Sequence, residues 1–458
     1  MLFYEGIDEG QSGKGHNDLC PAHYFWKSFT TIIYLADGKI VSTYVGTQAF
    51  AAVGATAVIA NLIIGFVNGV TQGFGIPISR CFGAGDYKNM RRYVAGSFIM
   101  TVAMTLILTV GALLGIEGLL HILDTPADIM EEALQYIRII IMGTAFISLY
   151  NYSANILRAV GESRIPLLCL VVAVIFEHFS GYSFCAYIFH GTSRCSACDQ
   201  YCPVYCRSSV YGVLAFRFRE LVPKGQEWQV QRRKYQEMTV FGISLGMMSC
   251  FVSIGTVIFQ TAVNRLGTKI VTAHIAARRI EELTNVPMLC TGMAMTTYAS
   301  QNLGAGEYDR IKKGIHQAFV IVLVQGVIFT TFCWIFGYPL IRWITSSNDT
   351  YILDTAYRYL TRNTSFYFVL GPLFVLRCSL QGLEHKVIPV ASSILELVLK
   401  IVSTIWIVPV LGYTGVIYTE PIIWIFMTLM LIGGYVRALK QINEAEHIKS
   451  ARNTKARK

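Results

Sequence analysis

Charged side chains are scarce in this chain: Lys, Arg, Asp and Glu together supply 14% of its 458 residues, well short of the quarter or so that a soluble domain carries. Set against a 53% hydrophobic content and a mean hydropathy of +0.48, that shortage excludes a soluble globule, which would have to bury several long helices completely. Acids are scarcer than bases, 28 against 38, leaving a net charge of +10. The bases are spread over short loops and form no single patch, so nucleic acid is excluded as a partner. No Gly-x-x-x-x-Gly-Lys-Ser/Thr loop is present, which excludes ATP hydrolysis by this chain as an energy source. The N-terminus lacks the pattern of a cleavable signal peptide. Nothing in the composition points to an enzyme.

What the chain does have is apolar runs of about 20 residues, the length that crosses a hydrocarbon layer. They recur at 93–116, 139–156, 241–263, 318–341 and 387–410. Helices are expected near 49–80, 94–122, 133–159 and 165–190, then near 240–265, 271–302, 314–343, 352–381, 387–411 and 413–438. Pro77, Pro166, Pro287, Pro389 and Pro421 fall in or at the ends of these spans, where a neighbour or a cavity must satisfy the freed carbonyl. Bases cluster in alternate loops: Lys88, Arg91 and Arg92; Arg158 and Arg164; Arg232, Arg233 and Lys234; Arg310, Lys312 and Lys313; Lys386; and the tail 440–458. By the positive-inside rule these loops and the C-terminus are expected on the cytoplasmic side of the cell (inner) membrane.

The two halves repeat one another. Residues 80–87, RCFGAGDY, recur as QNLGAGEY at 301–308, an offset of 221, and the same offset pairs Ala52 with Ala273, Ser79 with Ser300, Asp128 with Asp349 and Tyr136 with Tyr357. Gly161 to Pro166 align with Glu384 to Pro389 at an offset of 223. Local convergence rarely holds a register over so many positions, and in an apolar chain a duplicated unit indicates a transporter built of two bundles. Basic turns follow both Gly-Ala-Gly motifs, so the repeats are expected to be parallel. Gly83, Gly85, Gly304 and Gly306 suit tight turns that need positive φ.

The stretches VGTQAFAAVGAT (45–56), GFGIPISRCFGAGDYKNMRRYV (73–94), LDTPADI (123–129), LRAVGESRIPL (157–167), AARRIEELTNVPM (276–288), ASQNLGAGEYDRIKKG (299–314) and GYTGVIYTEPIIW (412–424) resemble the multidrug and toxic compound extrusion transporters. The resemblance covers most of 34–176 and 235–440. It implies an all-α polytopic membrane protein of two pseudo-symmetric six-helix bundles, acting as a secondary active antiporter. Such a protein exports cationic or amphipathic small molecules in exchange for Na⁺ or H⁺ and is expected to be a monomer without a cofactor. The implied organisation is an N-terminal lobe (1–220), a cytoplasmic connection (221–239), a C-terminal lobe (240–440) and a basic tail (441–458). A lipid-linked oligosaccharide flippase of the same superfamily is the sister reading, but such proteins line their cavity with bases, which here lie mostly in loops.

Two segments depart from that pattern. Residues 177–220, where a sixth helix belongs, are polar and hold Cys195, Cys198, Cys202 and Cys206 in C-x2-C-x3-C-x3-C spacing. Alone, that spacing indicates a metal or redox site. Read one base downstream, suitable codons for the segment instead give an apolar string that includes GQAGAALATNIAQ, which the family carries opposite 412–424. The stretch 13–32 behaves likewise for the first helix. Frameshifts across about 1–33 and 177–220, disrupting the first and sixth helices, are therefore expected in place of a metal site.

Asp37, after the first apolar run and at a position where the family often has Asp, is the ion-coupling candidate, because a carboxylate at membrane depth is costly unless paired or functional. Arg278 and Glu282 stand four apart and read as a structural ion pair, as do Glu396 and Lys400. Asn61, Gln260, Asn264, Glu282 and Met293 are candidates for lining a cavity. Met247, Met248, Met288 and Met295 add a soft, adaptable surface.

Overall fold

The computed structural model describes residues 47–122, 130–166, 168–169, 218, 220–345 and 347–456. Asp37, the segment 1–33 and almost all of 177–220, including its four spaced cysteines, lie outside the described residues.

Every regular element among the described residues is helical. In order these are α1 (Thr47–Gly83), α2 (Tyr87–Ile122), α3 (Met130–Ala159), a short 3₁₀ turn (Gly225–Trp228), α4 (Arg232–Asn264), α5 (Thr268–Ala305), α6 (Tyr308–Thr345), α7 (Thr350–Thr364), α8 (Tyr367–Gly382) and α9 (Val387–Val402). A π-helical segment (Ser403–Ile407), α10 (Val408–Leu411) and α11 (Tyr413–Ala456) complete the chain. Seven stretches within these helices are long and apolar enough to cross a membrane. Large apolar side chains stand outward on them, such as Leu114 at 83% and Trp343 at 78% exposure, as expected where the solvent is hydrocarbon. This is an all-helical, multi-pass membrane protein. The chain forms two compact units, the first comprising residues to Phe82 and Asp86–Ser253, the second Gly83–Gly85 and Ile254–Lys458.

The duplication is visible in the backbone. α2 and α6 begin at Tyr87 and Tyr308, 221 apart. Gly85 and Gly306 both adopt φ +70°, and each turn closes with the same bond, Asp86 N to Cys81 O and Glu307 N to Asn302 O, both 2.9 Å. That is a left-handed glycine helix stop. Only the second glycine of each motif has positive φ; Gly83 and Gly304 are still helical, because the left-handed residue is the one just past the helix end. At the 223 offset, Gly161 (φ +92°) is matched by Glu384 (φ +67°), with Glu162 N to Leu157 O at 2.8 Å and His385 N to Leu380 O at 2.9 Å.

In the first unit α1 and α4 meet backbone to backbone. Gly65, Gly69 and Gly73 recur every four residues on α1, opposite Gly242 and Gly246 of α4. A methyl group on Gly73 would lie 2.6 Å from the Phe241 carbonyl oxygen, and one on Gly69 2.5 Å from that of Leu245. Small residues permit this approach where no hydrophobic force drives helices together. The connection before α4 is fastened to α2: Arg91 Nε donates to Glu227 at 2.7 Å, Lys234 Nζ to Asn89 Oδ1 at 2.7 Å, and the Lys234 ammonium lies 4.4 Å from the Tyr93 ring centre. In the turn ahead of α2, Asp86 accepts from the Asn89 side chain and backbone, and these bonds hold its carboxyl below the ordinary aspartate range.

In the second unit α5 packs against α6, α7 and α8 over a core that includes Met288, Met295, Leu373, Leu376 and Trp424. Met288 and Met295 are fully buried core residues. The single helix expected over 352–381 is two. α7 ends at Thr364, α8 starts at Tyr367, and Thr330 Oγ1 of α6 donates to the Thr364 carbonyl at 2.6 Å.

Candidate functional site

The most concentrated polar feature of the described residues lies inside the second unit, on four helices. α5 supplies Arg278 and Glu281, α8 Arg377, α9 Glu396 and Lys400, and α11 Glu420. Arg377 Nη2 reaches Glu396 Oε2 at 3.5 Å, and Lys400 Nζ reaches Glu396 Oε1 at 3.1 Å and Glu420 Oε1 at 3.4 Å. Arg278 Nη1 then spans Glu420 Oε1 at 3.9 Å and Glu281 Oε2 at 3.2 Å. Signs alternate along this row, and its three cations offset its three carboxylates.

That balance is what allows six charges to sit in one membrane lobe. Removing an ion from water costs several kcal/mol even after relaxation, and the cost is recovered only where partners lie close and residual donors are used. Here they are used. Lys400 also donates to Thr256 Oγ1 at 3.2 Å, and Arg377 donates to Ser393 Oγ at 3.1 Å and Ser392 Oγ at 3.3 Å. The π-helical segment follows Lys400 within one turn, and such segments recur at functional positions.

Glu281 closes the row. Its side chain is fully buried. Oε2 accepts from Tyr359 of α7 at 3.1 Å and from Arg278, and the Tyr367 hydroxyl of α8 donates to the Glu281 carbonyl at 3.3 Å. Thr284 and Tyr367 share a further bond of 2.7 Å. The two tyrosines sit on either side of the α7–α8 break, so the interruption and the carboxylate occupy one locus. Glu281 Oε1 is buried and makes no hydrogen bond. A carboxylate with one satisfied and one free acceptor oxygen, in a network already neutral, is set up to take a proton or a small cation.

The residues singled out from sequence are distributed as follows. Glu282, half exposed, pairs with Arg279 at 3.5 Å and more loosely with Arg278 at 4.0 Å; the closer partner of Arg278 is Glu281, three residues on. The expected Glu396–Lys400 pair forms. Gln260 donates to Asn264 at 2.9 Å on an exposed face of α4. Asn61 is exposed on α1 and Met293 is half-buried on α5. Sequence reasoning passed over Glu420, Arg377, Tyr359 and Tyr367. The available signal was that ionisable residues inside apolar spans pair with one another.

The sequence profile of the MatE family matches this chain twice, over residues 25–182 and 245–406, together well over half of its length. The chain belongs to the MatE family. Among curated proteins, this MatE chain is 22% identical over 377 residues to the probable multidrug resistance protein YpnP of Bacillus subtilis (strain 168), covering 81% of each. It is 22% identical over 368 residues to the probable multidrug resistance protein YoeA of the same organism, covering 77% of this chain and 78% of YoeA. Among solved structures it resembles a MATE transporter crystallised in complex with MaD3S, with a TM-score of 0.85 at 19% identity over 95% of this chain and 97% of that one. Among the described residues of this MatE protein, no cluster of three or more His, Cys, Asp or Glu is placed to hold a metal ion.

Proposed function

We propose that this MatE protein is a secondary active antiporter that exports cationic or amphipathic small molecules across the cell membrane in exchange for Na⁺ or H⁺, working as a monomer by alternating access. Its cytoplasmic face is the side of the basic loops and the C-terminus. The names of the Bacillus relatives support a drug-like cargo. The observation that carries the exchange reading is Glu281, a fully buried carboxylate with one bonded and one unbonded oxygen, held between Arg278 and Tyr359. Taking up H⁺ or Na⁺ there changes the charge balance of the whole row, so that ion occupancy and helix arrangement become linked. Asp37 is the corresponding candidate in the first half, and Asn61, Gln260, Asn264, Glu282 and Met293 are proposed to meet the cargo.

The test is ethidium transport by the full chain in proteoliposomes under an imposed pH or Na⁺ gradient. Exchange driven by one of the two gradients, lost in Glu281→Gln and preserved in Glu282→Gln, is the expected result. Transport that ignores both gradients, or that survives Glu281→Gln with its ion dependence intact, overturns the reading.

A further inference from the structure

α7 has one buried face and one polar face. Leu353, Ala356 and Leu360 are buried in the second unit, while Asp354, Arg358 and Arg362 recur every four residues on the exposed side, with Thr355 and Thr361 partly exposed beside them. None of these three charges belongs to the buried row. Among the described residues neither guanidinium makes an ion pair or a side-chain hydrogen bond. The neighbouring α6 has the opposite character, with Leu323, Val327, Ile328 and Ile335 among its exposed side chains. One helix turns apolar groups outward, as lipid requires, and the other turns arginines outward.

Those arginines stand at membrane depth. The Tyr357 hydroxyl donates to the Trp334 carbonyl of α6 at 2.7 Å, and Thr330 of α6 donates to the Thr364 carbonyl at 2.6 Å, so the last two turns of α7 run level with 330–334. These α6 residues lie within its apolar run 318–341 and within Tyr308–Thr345, a stretch long and apolar enough to cross a membrane. Arg362 is 12 residues past Thr350, where α7 begins, about 18 Å at 1.5 Å per residue. Its side chain is too deep to reach the interface at that end. A guanidinium facing hydrocarbon at this level is costly, and intramembrane cations stand instead on a partner or at a water-filled cavity. With no partner, this face of α7 borders water.

We propose that Arg358 and Arg362 form an anion-recognising subsite that takes the carboxylate of an amphipathic cargo. The inference rests on the reading of the chain as an exporter of amphipathic molecules and narrows their class. An arginine fork matches the two oxygens of a carboxylate. With Asp354 included, the face keeps one net positive charge, which a monoanion cancels and a dianionic phosphate ester exceeds. Asp354 lies at the far end of the stripe from Arg362, so the deeper arginine is left to the ligand. Just past it, Phe366 and Phe368 stack at 6.0 Å and Phe368 is 60% exposed, which offers an aromatic surface to the ring system of such a molecule.

The experiment measures binding to the purified full chain in neutral detergent by fluorescence polarisation, with rhodamine B, which carries a free carboxylate, and with its ethyl ester, which does not. The acid should bind about tenfold more tightly than the ester, the gain from a charge-assisted hydrogen bond. Arg362→Gln should erase that preference and leave ester binding as it was, which also reports that the variant is folded; Arg362→Lys should keep the preference. Equal binding of the two dyes, binding of neither, or a preference that survives Arg358→Gln and Arg362→Gln together refutes the proposal. Polarisation in detergent needs neither a gradient nor transport, so this outcome is separate from that of the ethidium assay.

Discussion

Breaking and then rebalancing the buried ionic row gives the sharpest test of how it is held. Lys400 touches Glu396 at 3.1 Å and Glu420 at 3.4 Å, with only 3% of its side chain exposed. Lys400→Met would leave Glu420 with Arg278 alone, at 3.9 Å, and the row one negative charge in excess. Stripping one partner from a buried pair costs about 3–5 kcal/mol. Glu420→Gln removes a carboxylate instead; Lys400 then keeps Glu396 and Arg278 keeps Glu281, so a smaller loss of roughly 1–3 kcal/mol is expected. The double variant restores neutrality with two cations and two acids, each still paired. Its cost should therefore fall short of the sum of the singles by about 2 kcal/mol or more. Equilibrium unfolding in mixed micelles titrated with dodecyl sulfate measures all four corners of the cycle. If the two losses add to within about 0.5 kcal/mol, the groups do not form one charge-compensated unit and the reasoning fails.

Three other outcomes are expected. Glu384→Gly should raise stability by about 0.5–1 kcal/mol, since a left-handed φ of +67° penalises any residue with a Cβ; a thermal melt lower than that of the parent would contradict this. Gly73→Ala should separate α1 from α4, because the new methyl would lie 2.6 Å from the Phe241 oxygen. A loss of several kcal/mol is expected, and wild-type stability in the same unfolding titration would show that the seam is looser than described. Asp349 caps α7 by accepting from Tyr351 N and is hydrogen-bonded by Lys269, which holds its carboxyl below the ordinary aspartate range. A depressed folded-state pKa means that its contribution is present at neutral pH and disappears as pH falls through the depressed value. The difference in melting temperature between the wild type and Asp349→Asn should accordingly be constant down to the ordinary aspartate range and close below it; a gap that widened on acidification would reverse the sign.

Much of this architecture was legible in the sequence because apolar length and glycine placement act locally. The 221-residue register anticipated matching glycine turns ahead of α2 and α6, although both helices start earlier, at Tyr87 and Tyr308, than the apolar runs near 94 and 314 suggested, because the polar first turns carry no apolar signal. The α7–α8 break was not legible in the same way, since neither proline nor glycine occupies 365–366. In hindsight the cue is the run Thr361 to Ser365. There Thr361, Asn363, Thr364 and Ser365 each donate back to the backbone one turn earlier, offering the chain an alternative to a continued helix. The ionic row was half legible. Pairs within one helix, such as Glu396–Lys400, follow from spacing, but Glu420 and Arg377 join only through packing between helices far apart in the chain. Spacing also favoured Glu282 over Glu281 as the partner of Arg278, and the surrounding tyrosines decide otherwise.

The wide turn at Ser403–Ile407 has a consequence for everything after it. An i-to-i+5 winding takes up one more amino acid per revolution than its neighbours, so the side chains from Val408 onward are rotated by about 100° from where an unbroken coil would aim them. Lys400 can therefore face inward while Trp406 and Val410, at 71% and 80% exposure, look out to lipid. Deleting a single amino acid within that winding would swing the outer end of this rod by more than a quarter of a revolution and leave the lysine where it is.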